Sequence, residues 1–409
     1  MRVTLAYGEH GLEVELPDDA TVVTPTDLPG LEDQQGAVSA AVHTPLAQFT
    51  APKRVAVVFP DITRPMPNRT VLPPLLAELE SIGAGPEEVV LLCATGTHRE
   101  ATRPELAELV GPELLDRYRV EQHLATSPDH VEVGTVDGVP VLLDRRYVEA
   151  DLRIVTGFVE PHFFAGFSGG PKAVCPGLAA LSTILEAHSP ARIANPSATW
   201  IELDANPVHQ FVRAATALAP PHVSVDVAIN GRRELTAVFA GPLHGAHREA
   251  CRFVKRASVQ AVPGRFDVVV STNGGHPLDR NLYQAVKGMA AAERVVADRG
   301  TIIMAAACRD GLPDEGEFAR LVIDASSAGA MVDAGAPPVQ DRWQMQVLGR
   351  VLQRARVLLY SDGLAAGQVQ AAHLQPIDDV TDAVARACAG GSRRVCALPL
   401  GPLTVAEAV

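Results

Sequence analysis

Apolar runs too short to be helices recur along this chain, and each breaks into a polar loop. The runs at 54–59, 88–94 and 152–157 consist largely of Val, Ile, Leu and Ala, as strands buried on both faces require. Helical periodicity fills the intervals, most clearly over 71–82. Strands that alternate with helices build parallel sheets, because a parallel neighbour needs a long crossover. Ligands of such sheets bind beyond the carboxyl ends of the strands. The polar loops therefore mark the candidate site. They are Asp61-Ile62-Thr63-Arg64-Pro65, Thr95-Gly96-Thr97-His98-Arg99, and a glycine-rich segment running from Glu160 to Lys172.

A second block repeats the pattern. Residues 244–259 read as a long helix broken by Pro263-Gly264. Strands follow at 266–271, 301–307 and 357–360, with helices at 282–292 and 342–354 between them. The expected fold class is α/β: two α/β domains with mostly parallel sheets, covering 1–262 and 263–390. The segment from about 391 to 409 is expected to pack back onto the first domain. A chain of 409 residues is long enough for a core in each.

A formal net charge of −13 excludes a nucleic-acid partner, and no basic cluster offsets it. Nothing approaches the ~18 uninterrupted apolar residues of a membrane span. The first eight residues read as a strand, not as a secretion signal. Six scattered cysteines without a C-x-x-C pair make a disulfide framework or structural zinc site a poor fit, so a cytoplasmic location is expected.

The loops carry chemistry. Asp61 and Arg64 could grip a polar ligand, or simply cap a helix and face solvent. The Gly169-Gly170 pair would let backbone N–H groups approach an anion. Lys172 follows it, held between Pro171 and the Cys175-Pro176-Gly177 turn, in a setting that suits an anchor. The spacing is not that of a P-loop, and Ala173 stands where magnesium would need a hydroxyl. His98, His162 and His188 add three imidazoles, each a candidate proton shuttle or metal ligand. In the second block, Tyr283, Gln284 and Lys287 share a helix face, or form an ordinary amphipathic surface. Trp343 could as well be a packing residue. His209, His222, His244 and His247 read as surface residues or helix ends.

These motifs, in this order, resemble the lactate racemase family that uses a nickel-pincer nucleotide. The resemblance is carried by Asp61-Ile62-Thr63-Arg64-Pro65, Gly96-Thr97-His98-Arg99, the segment from His162 to Lys172, His188, Tyr283-Gln284-Ala285-Val286-Lys287-Gly288 and Asp341-Arg342-Trp343-Gln344. It implies an active-site cleft between two α/β domains, the first of them binding the cofactor. It implies that Lys172 holds the nucleotide covalently and that His188 ligates its Ni2+. Asp61, Arg64, Ser168, Gly169, Gly170, Pro176 and Gly177 would help hold the cofactor. His98 and His162 would be the acid/base pair, with Arg64 and Lys287 also catalytic. Tyr283, Gln284, Lys287 and Trp343 would line the substrate side. The implied partners are a small 2-hydroxy acid and the cofactor-synthesis proteins that supply the nucleotide. One departure is Pro171, where the lactate enzyme carries a basic residue.

The chemistry matches the residues. Removing the α-proton of a 2-hydroxy acid would build a carbanion beside a carboxylate, whereas removing a hydride avoids that charge. Side chains cannot accept a hydride, so a cofactor is required. A base on each side serves the two enantiomers, and a cationic clamp holds the carboxylate. Two other readings remain open from the residues alone. One is a zinc hydrolase using His98, His162 and His188 as ligands. The other is a non-catalytic carrier of the nickel cofactor.

Overall fold

The computed structural model describes residues 1–313, 316–389 and 391–409. Two six-stranded sheets organise it. The first runs in the order Leu235–Gly241, Val223–Ile229, Leu152–Phe158, Val55–Pro60, Val89–Ala94, Arg119–Gln122. All its neighbours are parallel except the outer pair, Leu235–Gly241 against Val223–Ile229. The second runs Gln375–Pro376, Arg356–Tyr360, Val296–Ala305, Phe266–Thr272, Val395–Leu398, Thr21–Val22, and is parallel throughout. The two α/β units with mostly parallel sheets are as the sequence pattern predicts.

Chain order explains where a site can form. From Val55–Pro60 the chain adds Val89–Ala94 and Arg119–Gln122 on one side, then returns to place Leu152–Phe158 on the other. The loops leaving Val55–Pro60 and Leu152–Phe158 therefore diverge, opening a crevice at the carboxyl edge of the sheet. The strands themselves are almost completely buried, with Val55, Ala56, Val57, Val58 and Phe59 all inaccessible to solvent. That rigid base fixes the loops it carries.

Two termini behave differently from the sequence reading. The stretch from 391 does not return to the first sheet. Its strand Val395–Leu398 pairs with Phe266–Thr272 in the second, and Val405–Ala408 pairs with Val259–Val262. The beginning of the chain joins the same unit. Thr21–Val22 extends the second sheet, and the hairpin of Arg2–Leu5 with Leu12–Glu15 packs Leu5, Tyr7, Val14 and Leu16 against Val268, Val270 and Ile303. Cys396, Ala397 and Leu398 are wholly buried, and an apolar strand is placed by the face that needs covering.

Candidate active site

The loops after Val55–Pro60, Val89–Ala94 and Leu152–Phe158 and two helices of the second unit close around one cavity. Its wall includes Asp61 and Arg64 from the first loop, His98 from the second, and His162, Ser168, Gly169, Lys172, Pro176 and Gly177 from the third. His188 enters from the end of the helix Leu181–Ala187. Tyr283, Gln284 and Lys287 come from the helix Leu282–Glu293, and Trp343 from Arg342–Arg354. One candidate does not reach the cavity wall, which is Gly170.

Asp61 and His98 form a pair. The Asp61 Oδ2 lies 2.8 Å from His98 Nδ1, and the Thr63 hydroxyl donates to Oδ1 at 2.7 Å. Burial pushes the Asp61 carboxyl up, but the neighbouring His98 ring and the Arg64 guanidinium outweigh it and hold the carboxyl below its usual range. An ionised carboxylate accepts, so Nδ1 carries a proton, and in the neutral tautomer of this ring the lone pair is on Nε2. The sequence reading gave Asp61 to the cofactor; the geometry sets it in the cavity wall and also behind the His98 imidazole.

His162 is held the opposite way. The Ala165 N–H donates to its Nδ1 at 3.2 Å, and the Phe164 N–H approaches the same atom at 3.5 Å. A nitrogen accepting from the backbone has no proton of its own, so the neutral ring carries it on Nε2. Burial, and then the cations of Lys172, Lys287 and Arg64, keep this ring well below the usual imidazole range.

His188 donates Nδ1–H to the Ile184 carbonyl at 2.9 Å, leaving Nε2 free. This backbone bond fixes ring and tautomer as it does in imidazole metal ligands. Burial draws the ring down to about 4, so it is neutral. Its ring centroid lies 4.9 Å from that of Trp343. Trp343 in turn donates its indole N–H to the Tyr283 hydroxyl at 3.0 Å.

The cavity gathers basic side chains that no carboxylate pairs with directly. Among the described residues, Arg64, Lys172 and Lys287 meet no carboxylate within ion-pair distance. Burial, with Arg64 and Lys287 beside it, drives the Lys172 amine well below the ordinary lysine range. Burial and Arg64 draw Lys287 down to about 7. Lys172 can therefore present a neutral, nucleophilic amine.

Behind the glycine-rich turn the sequence reading needs correction. His209 and His247 are only 3% exposed, not surface residues. The Gly170 N–H, expected to face an anion, donates to the buried Asp226 at 2.8 Å. Ser168 spends its hydroxyl on the Phe158 carbonyl at 2.9 Å and accepts the Glu160 N–H at 2.9 Å. Sequence reasoning also missed Thr156 and Phe164 in the cavity wall. A signal for Lys287 was present in composition: the chain has only four lysines, and two of them line this cavity.

No group of three or more His, Cys, Asp or Glu side chains stands close enough to hold a metal among the described residues, so His98, His162 and His188 do not assemble into a zinc site. No helix among the described residues is long and apolar enough to cross a membrane.

Comparison with known proteins agrees with this arrangement. Residues 7–200 match the lactate racemase N-terminal domain, and residues 260–402 match the lactate racemase C-terminal domain. These two segments define the class, an isomerase of the racemase type. The chain belongs to the lactate racemase family. It is similar to the lactate racemase of Thermoanaerobacterium thermosaccharolyticum, 32% identical over 98% of this chain and 97% of that one. It is also similar to the lactate racemase of Lactiplantibacillus plantarum, at 34% identity over 85% of this chain and 83% of that one. The solved lactate racemase apoprotein from T. thermosaccharolyticum superposes with a TM-score of 0.91 at 30% identity, covering 100% of both chains. A Thermotoga maritima protein shares the fold alone, with a TM-score of 0.74 at 19% identity over 95% of this chain and 100% of that one.

Proposed function

We propose that this racemase inverts the 2-carbon of a small 2-hydroxy acid such as lactate, using a nickel-pincer nucleotide held by Lys172 and His188 in a cleft between the two domains. One observation carries the reading: a single cavity gathers a low-pKa lysine, a histidine with its Nε2 lone pair free, and two further histidines of opposite tautomer.

The residues fit the group. An imidazole fixed through Nδ1 suits nickel, and a neutral amine suits covalent attachment. When bound, the nucleotide would supply the hydride-accepting centre that no side chain offers.

The chain's own residues do the rest. His98 takes the substrate hydroxyl proton at Nε2, and Asp61 stabilises the imidazolium that results. His162 is the second member of the acid/base pair: its resting tautomer donates a hydrogen bond from Nε2–H to the substrate oxygen, and it acts as an acid only after taking up a second proton. Arg64 and Lys287 clamp the carboxylate, where an unpaired guanidinium and ammonium gain most from a bidentate anion. Tyr283, Gln284 and Trp343 bound the substrate side. Pro176 and Gly177 hold the loop that carries Lys172, whose neighbour Gly96 donates to the Gly177 carbonyl at 3.1 Å.

The test is intact mass on protein made with the cofactor-synthesis proteins present, beside polarimetry on single-enantiomer 2-hydroxy acids. A covalent adduct lost in Lys172→Ala, with nickel lost but the adduct kept in His188→Ala, is the expected outcome. Unmodified Lys172 in protein that still interconverts enantiomers would refute the anchor.

A further inference from the structure

Asp226 and His247 stand behind the lysine loop, and neither lines the cavity. Both fall between the two segments that match the family models, 7–200 and 260–402. Asp226 projects from the strand Val223–Ile229 and is inaccessible to solvent. Its Oδ1 accepts the Gly170 N–H at 2.8 Å, and its Oδ2 accepts the Ser224 hydroxyl at 2.9 Å. His247, on the helix Leu243–Ser258, donates Nε2–H to the Ser168 carbonyl at 2.9 Å. The Thr216 hydroxyl donates to the Pro171 carbonyl at 3.1 Å, and the Gly177 N–H to the Lys172 carbonyl at 3.0 Å. The main chain around Lys172 is thus pinned from several elements at once.

The pair crowds three glycines, Gly157 at the end of the strand Leu152–Phe158 and Gly169 and Gly170 in the turn. A Cβ on Gly157 would come within 2.7 Å of Asp226 Oδ1, and one on Gly169 within 2.8 Å. A Cβ on Gly170 would lie 2.3 Å from the His247 ring. Burying a carboxyl group is costly unless its partners repay it, and an apolar side chain would pack there more cheaply. Its presence is accounted for by what it holds.

We propose that Asp226 and His247 are positioning residues, which fix the turn Gly170–Ala173 through the Gly170 N–H and the Ser168 carbonyl and so set the direction in which Lys172 offers its amine. The inference rests on reading Lys172 as the anchor, and the experiment separates the two.

Lys53 and Lys255 are exposed and serve as internal references for Lys172. Trace acetylation of the full-length chain without cofactor, at one pH near neutrality, gives the Lys172-to-Lys255 labelling ratio by peptide mass spectrometry. Asp226→Asn keeps an acceptor oxygen of the same shape, whereas Asp226→Ala removes it. The ratio is expected to change at least ~10-fold in the Ala variant and to stay within about twofold of the parent in Asn. Covalent loading of chain made with the cofactor-synthesis proteins should follow the same order. An unchanged ratio in folded Asp226→Ala, or Asn falling with Ala, overturns the clamp. Should the Ala variant fail to fold, His247→Gln, which keeps a donor, set against His247→Ala makes the same comparison, and equal behaviour of the two overturns it. A labelling ratio that responds to Asp226→Ala, in a parent chain that takes up no adduct, removes the anchor and leaves the clamp standing.

Discussion

His98 and His162 differ in what holds them. The Asp61 carboxylate stands behind His98 and takes its Nδ1–H, while backbone N–H groups behind His162 take its Nδ1 lone pair, so the two neutral rings would offer opposite outer nitrogens. Asp61→Asn tests the first half. An amide would donate to Nδ1, move the proton to Nε2 and cancel the base. Turnover should fall by ~10²–10⁴, with lysine loading unchanged by intact mass. If Lys287 clamps the carboxylate as proposed, it should carry the pH dependence of that binding. With its amine near 7, the cation is present below that pH and lost above it. Affinity for a 2-hydroxy acid, followed by Trp343 fluorescence in the cofactor-free chain, should weaken as pH rises through about 7. Lys287→Arg should flatten that profile, because a guanidinium does not titrate there. The cavity-lining candidates were legible wherever they fell in a loop after a strand. Asp226 and His247 were not, since one Asp within a strand and one His on a helix form no pattern until the fold brings them to the glycines.

Elements were read best where period and length agreed. The sequence reading of 342–354 as a helix coincides with Arg342–Arg354, and 266–271 falls within Phe266–Thr272. Thr21–Val22 and Gln375–Pro376 had no chance of being seen, because two residues carry no period. The strand expected at 301–307 spans Val296–Ala305, running through the polar stretch Asp298-Arg299-Gly300 that an apolar search passes over. The helix Leu282–Glu293 shows how an element delivers side chains. Asn281 caps it by accepting the Gln284 N–H at 3.0 Å, and Gly288 lets it lie against the strand Phe266–Thr272. A Cβ at 288 would sit 2.0 Å from the Thr272 carbonyl oxygen. Gly288→Ala must therefore push the helix away. It should cost about 1–3 kcal/mol in urea unfolding, and weaken substrate binding by displacing Tyr283, Gln284 and Lys287 together.

At the scale of the whole molecule, the chain's first residues and its last strands complete one sheet. Thr21–Val22 pairs with Val395–Leu398, so the second unit is sealed by segments from the two ends of the chain, with Thr21 opposite Cys396. Periodicity reports what a segment is, not which sheet it joins, and this is why the returning C-terminal segment was assigned to the wrong unit. The consequence can be measured. Leu5 is fully buried in the cluster formed with Val268, Val270 and Ile303, far in sequence from all three. Leu5→Ala leaves a cavity there and should cost about 2–5 kcal/mol. Hydrogen exchange read by mass spectrometry should show faster exchange in Phe266–Thr272 and Val395–Leu398, with Val55–Pro60 keeping its protection. Protection lost first from Val55–Pro60 would mean that the hairpin stabilises the first unit, and would contradict the packing derived for it. Because Tyr283, Gln284 and Lys287 follow the strand Phe266–Thr272, the same variant should loosen the substrate side of the cavity while Lys172 and His188, carried by the first sheet, keep their geometry.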